Sequence, residues 1–255
     1  MGLAHDVAGS GPALLLLHSA VCDRRMWEPQ WPALVAAGYR VVRADLRGFG
    51  ETPVADRPYS NAEDVVELLR ALGYDEVAVV GSSFGGRVAL EVAARWPHLV
   101  PAMVLLCAGR PGQVPGPALR SFGECEDALL GAGDVAGAVE LNVSTFVGPD
   151  ADGPTRDRVR LIQRHAFDVQ LAAVAPQSST EAAVDLAAVT ASCLAVSGGR
   201  DLPDFRQVAA DLAGLLPHAE HRELPWAGHL PSLERPAEVT DLVTGFLRAT
   251  VPPVP

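Results

Sequence analysis

Residues Gly81-Ser82-Ser83-Phe84-Gly85 place a serine two positions from a glycine on either side. The apolar run Val77–Val80 stands before it and the helical pattern Phe84–Trp96 follows. A serine at such a strand-to-helix turn is held in a strained backbone conformation, its hydroxyl lifted off the sheet edge. The chain packs closely there, so the residues two before and two after must be small. Centring the turn on Ser83 puts Gly81 and Gly85 at those positions, whereas centring it on Ser82 would put Val80 and Phe84 there. Ser83 is therefore the candidate nucleophile.

A hydroxyl is a weak nucleophile near neutral pH and needs a base, itself oriented by a third group. A serine on this kind of turn takes its partners in the order Ser, acid, His. Asp201 in SGGRDLPDF follows the strand-like Cys193–Ser197, and His229 in PWAGHLPSLERP precedes the last helix. Asp204 is the alternative acid. His18, His98, His165, His218 and His221 fit the base position less well by order and by element. Asp45, which also ends a strand, is read as a loop-structure residue.

Those three residues need elements to hold them. Apolar strand-length runs at Ala13–Leu17, Arg40–Ala44, Val77–Val80, Ala102–Cys107 and Cys193–Ser197 alternate with helical patterns, with a further short strand at His221–Leu224. The helices fall at Glu28–Ala37, after Ser60, at Phe84–Trp96, near Phe205–Leu215 and from Pro236 to Ala249. Ser60 and Glu63 have capping-box spacing, and Val65, Val66, Leu68, Leu69 and Leu72 then share one face. Such alternation predicts an α/β fold with a mainly parallel, doubly wound sheet. Between Pro111 and about Val189 the alternation breaks. Helical patterns appear at Ala118–Leu130, Asp134–Phe146 and Thr155–Val174, with no strand. The chain thus divides into a core segment 1–109, a helical cap 110–190 and a second core segment 191–255, and Pro252–Pro255 is read as a loose tail.

The 255 residues carry 20 basic and 31 acidic groups, a net charge of −11, and all 20 cations are Arg. The absence of Lys excludes Schiff-base chemistry. So negative a chain is a poor partner for nucleic acid or an anionic membrane. No apolar run near the start is long enough to span a bilayer and no basic region precedes one, which points to a cytoplasmic protein. Cys22, Cys107, Cys125 and Cys193 have no paired spacing and read as reduced thiols; no zinc pattern arises from them and the histidines.

Five stretches resemble the α/β-hydrolase superfamily: LLLLHSAVCDRRMW (14–27), RADLRGFGET (43–52), VVGSSFGGRVAL (79–90), SGGRD (197–201) and AGHLPSLERP (227–236). Within it, the first two look like the branch of 3-oxoadipate enol-lactonases and related esterases. The resemblance implies an oxyanion hole from two backbone N–H groups: Phe84 and, from the loop after the first strand, Ala20, with Val21 the neighbouring alternative. Ser19 stands where the family more often has Gly, and the short N-terminus implies a truncated leading β-hairpin.

Trp27, Phe146, His165 and Phe167 are candidates to line a substrate pocket under the cap, or to be ordinary packing. Arg156, Arg160 and Arg164 recur every four residues, either as a solvated stripe or as an anchor for a carboxylate-bearing substrate. The chemistry expected is acyl transfer to water on a small-molecule ester or lactone, with no metal and no organic cofactor. Thioester or C–C bond hydrolysis, perhydrolysis and acyl transfer or cyclisation would use the same machinery. A ligand-binding protein on the same scaffold is the rival from another class, and homo-oligomerisation stays open.

Overall fold

Strands β2 (Ala13–Leu17), β4 (Ala78–Ser82) and β5 (Ala102–Leu106) are almost uninterrupted apolar residues, as strands covered on both faces must be, while β3 (Arg40–Ala44) buries Val41, Val42 and Ala44 and carries two arginines. In the computed structural model, which describes residues 2–174 and 178–253, they join β1 (His5–Ala8), β6 (Ser192–Gly198) and β7 (Ala219–Leu224) in one seven-stranded sheet. The order is β1-β3-β2-β4-β5-β6-β7, with β1 antiparallel to β3 and every other pair parallel.

Alternate residues of each strand feed two cores. Leu15 and Leu17 of β2 pack with Val65 and Leu69 of α2 (Asn61–Ala71) and with Val88 and Val92 of α3 (Phe84–Arg95). Leu14 and Leu16 face the other way, toward Leu34 of α1 (Trp31–Ala36) and Val243 and Leu247 of the C-terminal helix Pro236–Thr250. Between β5 and β6 the chain leaves the sheet as three helices, α4 (Pro117–Gly131), α5 (Val135–Phe146) and α6 (Gly153–Leu171). Val139, Val143, Phe146, Val159 and Ile162 of this insertion join the second core.

Element types follow the sequence pattern closely; the departures have local causes. Glu28–Ala37 is not one helix. A 3-10 turn at Arg24–Trp27, capped by the Asp23 side chain, is followed by α1, with Pro32 in its first turn. Pro29 and Pro32 split the apolar pattern because neither can donate a helical N–H. His5–Ala8 forms a strand that its composition does not announce. Its ladder to β3 defines it, together with the Asp6 carboxylate, which accepts from both Arg24 and Arg43. The Ser60 side chain caps α2 as its spacing predicts, accepting from the Glu63 N–H. A short helix at Pro231–Glu234 also went unread in the sequence. We number the helix Pro203–Leu215 α7, that short helix α8 and the C-terminal helix α9. Residues 254–255 of the predicted tail lie outside the described residues.

Candidate active site

β4 ends at Ser82 and α3 begins at Phe84, so Ser83 alone makes the turn. It does so at φ 49° and ψ −109°, a conformation unfavourable for any residue with a Cβ. The surroundings enforce it. A Cβ on Gly85 would come within 2.4 Å of the Leu17 carbonyl oxygen, and one on Gly81 within 2.7 Å of the Gly85 carbonyl oxygen. The Gly85 N–H donates to the His18 carbonyl at 3.0 Å, and the Ser83 N–H to the Leu106 carbonyl at 2.9 Å, tying the turn to both neighbouring strands. Glycine at both flanking positions is a steric requirement.

Asp201 lies just past β6, and its Oδ2 accepts from His229 Nδ1 at 2.7 Å. Because a carboxylate can only accept, Nδ1 carries the ring proton and Nε2 is left with a lone pair. Asp201 Oδ1 takes the Leu202 N–H at 2.7 Å. His229 is 1% exposed and packs against the rings of Phe205 and Phe146, whose centroids stand 4.2 and 4.9 Å away. The loop bearing it is clamped twice. The His229 N–H donates to the Phe146 carbonyl at 2.9 Å, and Glu234 accepts from Gly228 N at 2.8 Å and Leu230 N at 3.1 Å. Burial pushes the Glu234 carboxyl above the usual glutamate range, and the backbone donors around it partly offset that.

Ser83 and His229 line one cavity of about 270 Å³ under α4–α6. A second cavity of about 230 Å³ shares Ala20, Ser83, Leu119 and Phe205 with it and opens past Arg87 and Arg110. Spaces of this size suit small molecules. A larger groove of about 640 Å³ lies elsewhere, against residues 53–67, and includes none of Ser83, Asp201 or His229. The Phe84 N–H opens α3 and so has no acceptor within its own helix. Ala20 lines both cavities beside Ser83, while Val21 lines only the first.

His18 shapes the loop that carries Ala20. Its Nε2 accepts from the Leu46 N–H at 2.9 Å, so Nδ1 is the donor to the Ser19 carbonyl, also at 2.9 Å. Burial drives the His18 pKa down, against the pull of Asp45 and Asp23, and keeps the ring neutral. Asp45 plays the structural part read for it. Its carboxylate takes the Arg24 and Glu51 N–H groups at 2.8 and 2.9 Å and an ion pair from the Arg24 guanidinium. Asp204, the alternative acid, instead accepts from the Gly116 N–H, so it ties α7 to the start of the insertion.

Of the four candidate pocket residues, Phe146 and Phe167 line the cavity with Ser83. Trp27 does not: it is 1% exposed and packs in the core, where its size and the apolar strand faces bury it. His165 is turned toward a separate small cavity and hydrogen-bonds the Gly50 carbonyl at 3.2 Å. The arginine stripe is a solvated face. Arg160 pairs with Glu140 and Asp157, Arg164 pairs with Asp168, and Arg156 donates to the Gly148 carbonyl.

Other site residues escaped the sequence reading. The Cys107 Sγ, an Asp201 oxygen and a His229 ring nitrogen lie within 4.8 Å of one another, and Cys107 has φ 48°. Burial and the Asp201 charge push its thiol well above the usual cysteine range. Phe122, Glu126, Asn142, Gln163 and Phe205 also line the cavity. A signal for two of them existed: Asn142 and Gln163 interrupt apolar stripes, Asn142 among Ala138, Val139 and Phe146, Gln163 among Val159, Ile162 and Phe167.

Comparisons with known proteins agree with this architecture. A hydrolase from Pseudomonas aeruginosa is 28% identical, superposes with a TM-score of 0.78, and the match covers 96% of this chain and 94% of that one. A protein described as an N-acyl homoserine lactone degrading enzyme is 25% identical with a TM-score of 0.76, covering 96% of both chains. The enol-lactonase from Burkholderia xenovorans has the same fold, with a TM-score of 0.79 at 21% identity and coverage of 96% of both chains. The model of the alpha/beta hydrolase family matches residues 14–242, which take in the strand–Ser83–helix turn, the Asp201–His229 pair and the helices between them. The strained serine turn on a parallel sheet and that match together establish that the chain belongs to the alpha/beta hydrolase family.

Proposed function

We propose that the protein is a serine hydrolase that cleaves a carboxylic ester or lactone of a small molecule through an acyl-enzyme. The observation that carries this reading is the Asp201–His229 hydrogen bond of 2.7 Å, which leaves His229 Nε2 as a free base in a cavity that Ser83 shares. His229 takes the Ser83 proton as Oγ attacks the carbonyl carbon, and the N–H groups of Phe84 and Ala20 hold the developing oxyanion. Asp201 fixes the tautomer and stabilises the imidazolium. His229 then protonates the departing alkoxide, and in the second half-reaction it activates a water that releases the acid and regenerates Ser83. In this reading the helices α4–α6 act as a cap that screens the acyl-enzyme and selects substrates.

Burial strengthens each of these electrostatic steps. Ser83, Asp201 and His229 are all under 8% exposed, so the field of Asp201 on the imidazole is poorly screened by water. The test is turnover of p-nitrophenyl esters of increasing chain length, simple lactones and acyl thioesters. Ester or lactone hydrolysis that falls about 10³- to 10⁶-fold in Ser83→Ala supports the proposal. Binding without turnover would identify a ligand-binding protein instead, and preferred thioester cleavage would move the substrate class.

A further inference from the structure

The cavity over Ser83 has largely aromatic walls, to which α4, α5 and α6 add polar side chains, Gln170 among them being tied to the Gly48 carbonyl. Phe49, Phe122, Phe146 and Phe167 form its apolar walls. Among them stands Gln163, 3% exposed, with its Oε1 buried and without a hydrogen-bond partner among the described residues. Glu126 lines the same cavity and accepts a hydrogen bond from Asn142 Nδ2. Asn142, 2% exposed, also donates from Nδ2 to the Ala138 carbonyl at 2.9 Å, so both of its N–H protons are committed within the protein. Among the described residues no Arg lines this cavity, and the chain has no Lys, so no permanently charged cation stands beside Glu126 there.

We infer that this part of the cavity is a specificity subsite for a hydrogen-bond-donating group on the substrate, a hydroxyl or an ammonium, and that it rejects a carboxylate. The inference rests on the proposed hydrolase reading and names the substrate class for it. A buried acceptor without a donor is costly, and an alkyl chain filling the cavity would leave Gln163 Oε1 in that state. A donor on the substrate satisfies it. A site built around such a pairing discriminates strongly against an analogue that lacks the donor. Glu126 extends the preference to cations, and a carboxylate would meet the Glu126 carboxylate. Partial burial pushes the Glu126 carboxyl upward, and Asn142 pulls it back. This preference is opposite to that of an arginine-anchored site, and the stripe Arg156, Arg160 and Arg164 takes no part in it.

The experiment compares p-nitrophenyl esters whose acyl chains end in hydroxyl, ammonium, methyl or carboxylate, at chain lengths of about four, six and eight carbons. At the length that reaches the subsite, kcat/KM for the hydroxyl-ended ester should exceed that of its methyl-ended isostere by about tenfold or more. The ammonium-ended ester should also exceed the methyl-ended one, and the carboxylate-ended ester should be the worst. In Gln163→Leu the hydroxyl-to-methyl ratio should fall toward one, a ratio that general loss of activity does not change. The wild-type ladder decides the matter even if that variant does not fold. Equal rates for hydroxyl and methyl at every length, or a preference for carboxylate, would overturn the inference while leaving the hydrolase reading intact. If no ester is cleaved, the hydrolase reading fails, and calorimetry on the wild-type protein with hexane-1,6-diol against hexan-1-ol still tests the subsite. Tighter binding of the diol supports it and equal binding overturns it.

Discussion

Two backbone donors of the loop that carries His229 depend on a single carboxylate. Glu234 accepts from the N–H groups on both sides of the histidine, so Glu234→Ala strands two donors in a largely buried loop. Unfolding in urea should show a loss of roughly 2–4 kcal/mol, accompanied by a fall in kcat larger than any change in KM. Glu234→Gln, which keeps one acceptor oxygen, should recover part of both. The thiols supply an independent check at this scale. Cys22 and Cys107 are buried with raised pKa values, and burial pushes Cys193 up to about 12, whereas Cys125 is exposed. A thiolate is the reactive form, so a disulfide reagent at neutral pH should titrate one thiol in the native protein and four after unfolding. Two or more fast thiols in the native state would contradict the burial of Cys22, Cys107 and Cys193.

At the level of elements, the turn at Ser83 is the most demanding construction in the chain. Gly85→Ala would force a Cβ against the Leu17 and His18 carbonyls and should cost about 1–3 kcal/mol while lowering activity. Ser60→Ala, which removes the α2 cap far from the chemistry, should cost about 1 kcal/mol in thermal or urea unfolding and leave kcat unaltered. This contrast also marks what the sequence reveals. The Gly-x-Ser-x-Gly spacing, the apolar run before it and the helical run after it are local patterns, and they lead directly to Ser83. Asp201 and His229 follow from the order in which strands end. The cavity wall is legible only in part: Phe146 and Phe167 suit it by type and Asn142 and Gln163 interrupt apolar stripes, but that these two meet Glu126 depends on the packing of three helices, which no local pattern encodes. Trp27 illustrates the opposite error: its aromatic type suits a pocket, but its place between the apolar strand face and the insertion makes it core.

On the scale of the whole molecule, the sheet brings together segments far apart in sequence, and one tie between the loops that leave it can be probed through pH. His18 is buried and neutral, tying the loop after β2 to the start of the loop after β3. Burial lowers its folded-state pKa, so the unfolded chain takes up a proton near pH 6.5 that the native state refuses. Stability from this group is therefore complete above about pH 6.5 and is lost as pH falls below it. The unfolding free energy of the wild type should decline more steeply between pH 6.5 and 5 than that of His18→Asn, the difference approaching the slope of one bound proton. Matching slopes would mean that His18 titrates normally in the folded protein. The convergence of Ser83, Asp201 and His229 is tested most directly by mass spectrometry after treatment with a fluorophosphonate. The account predicts one adduct per chain, on Ser83, and its loss in His229→Ala; no adduct on Ser83, or equally fast labelling without the imidazole, would contradict it.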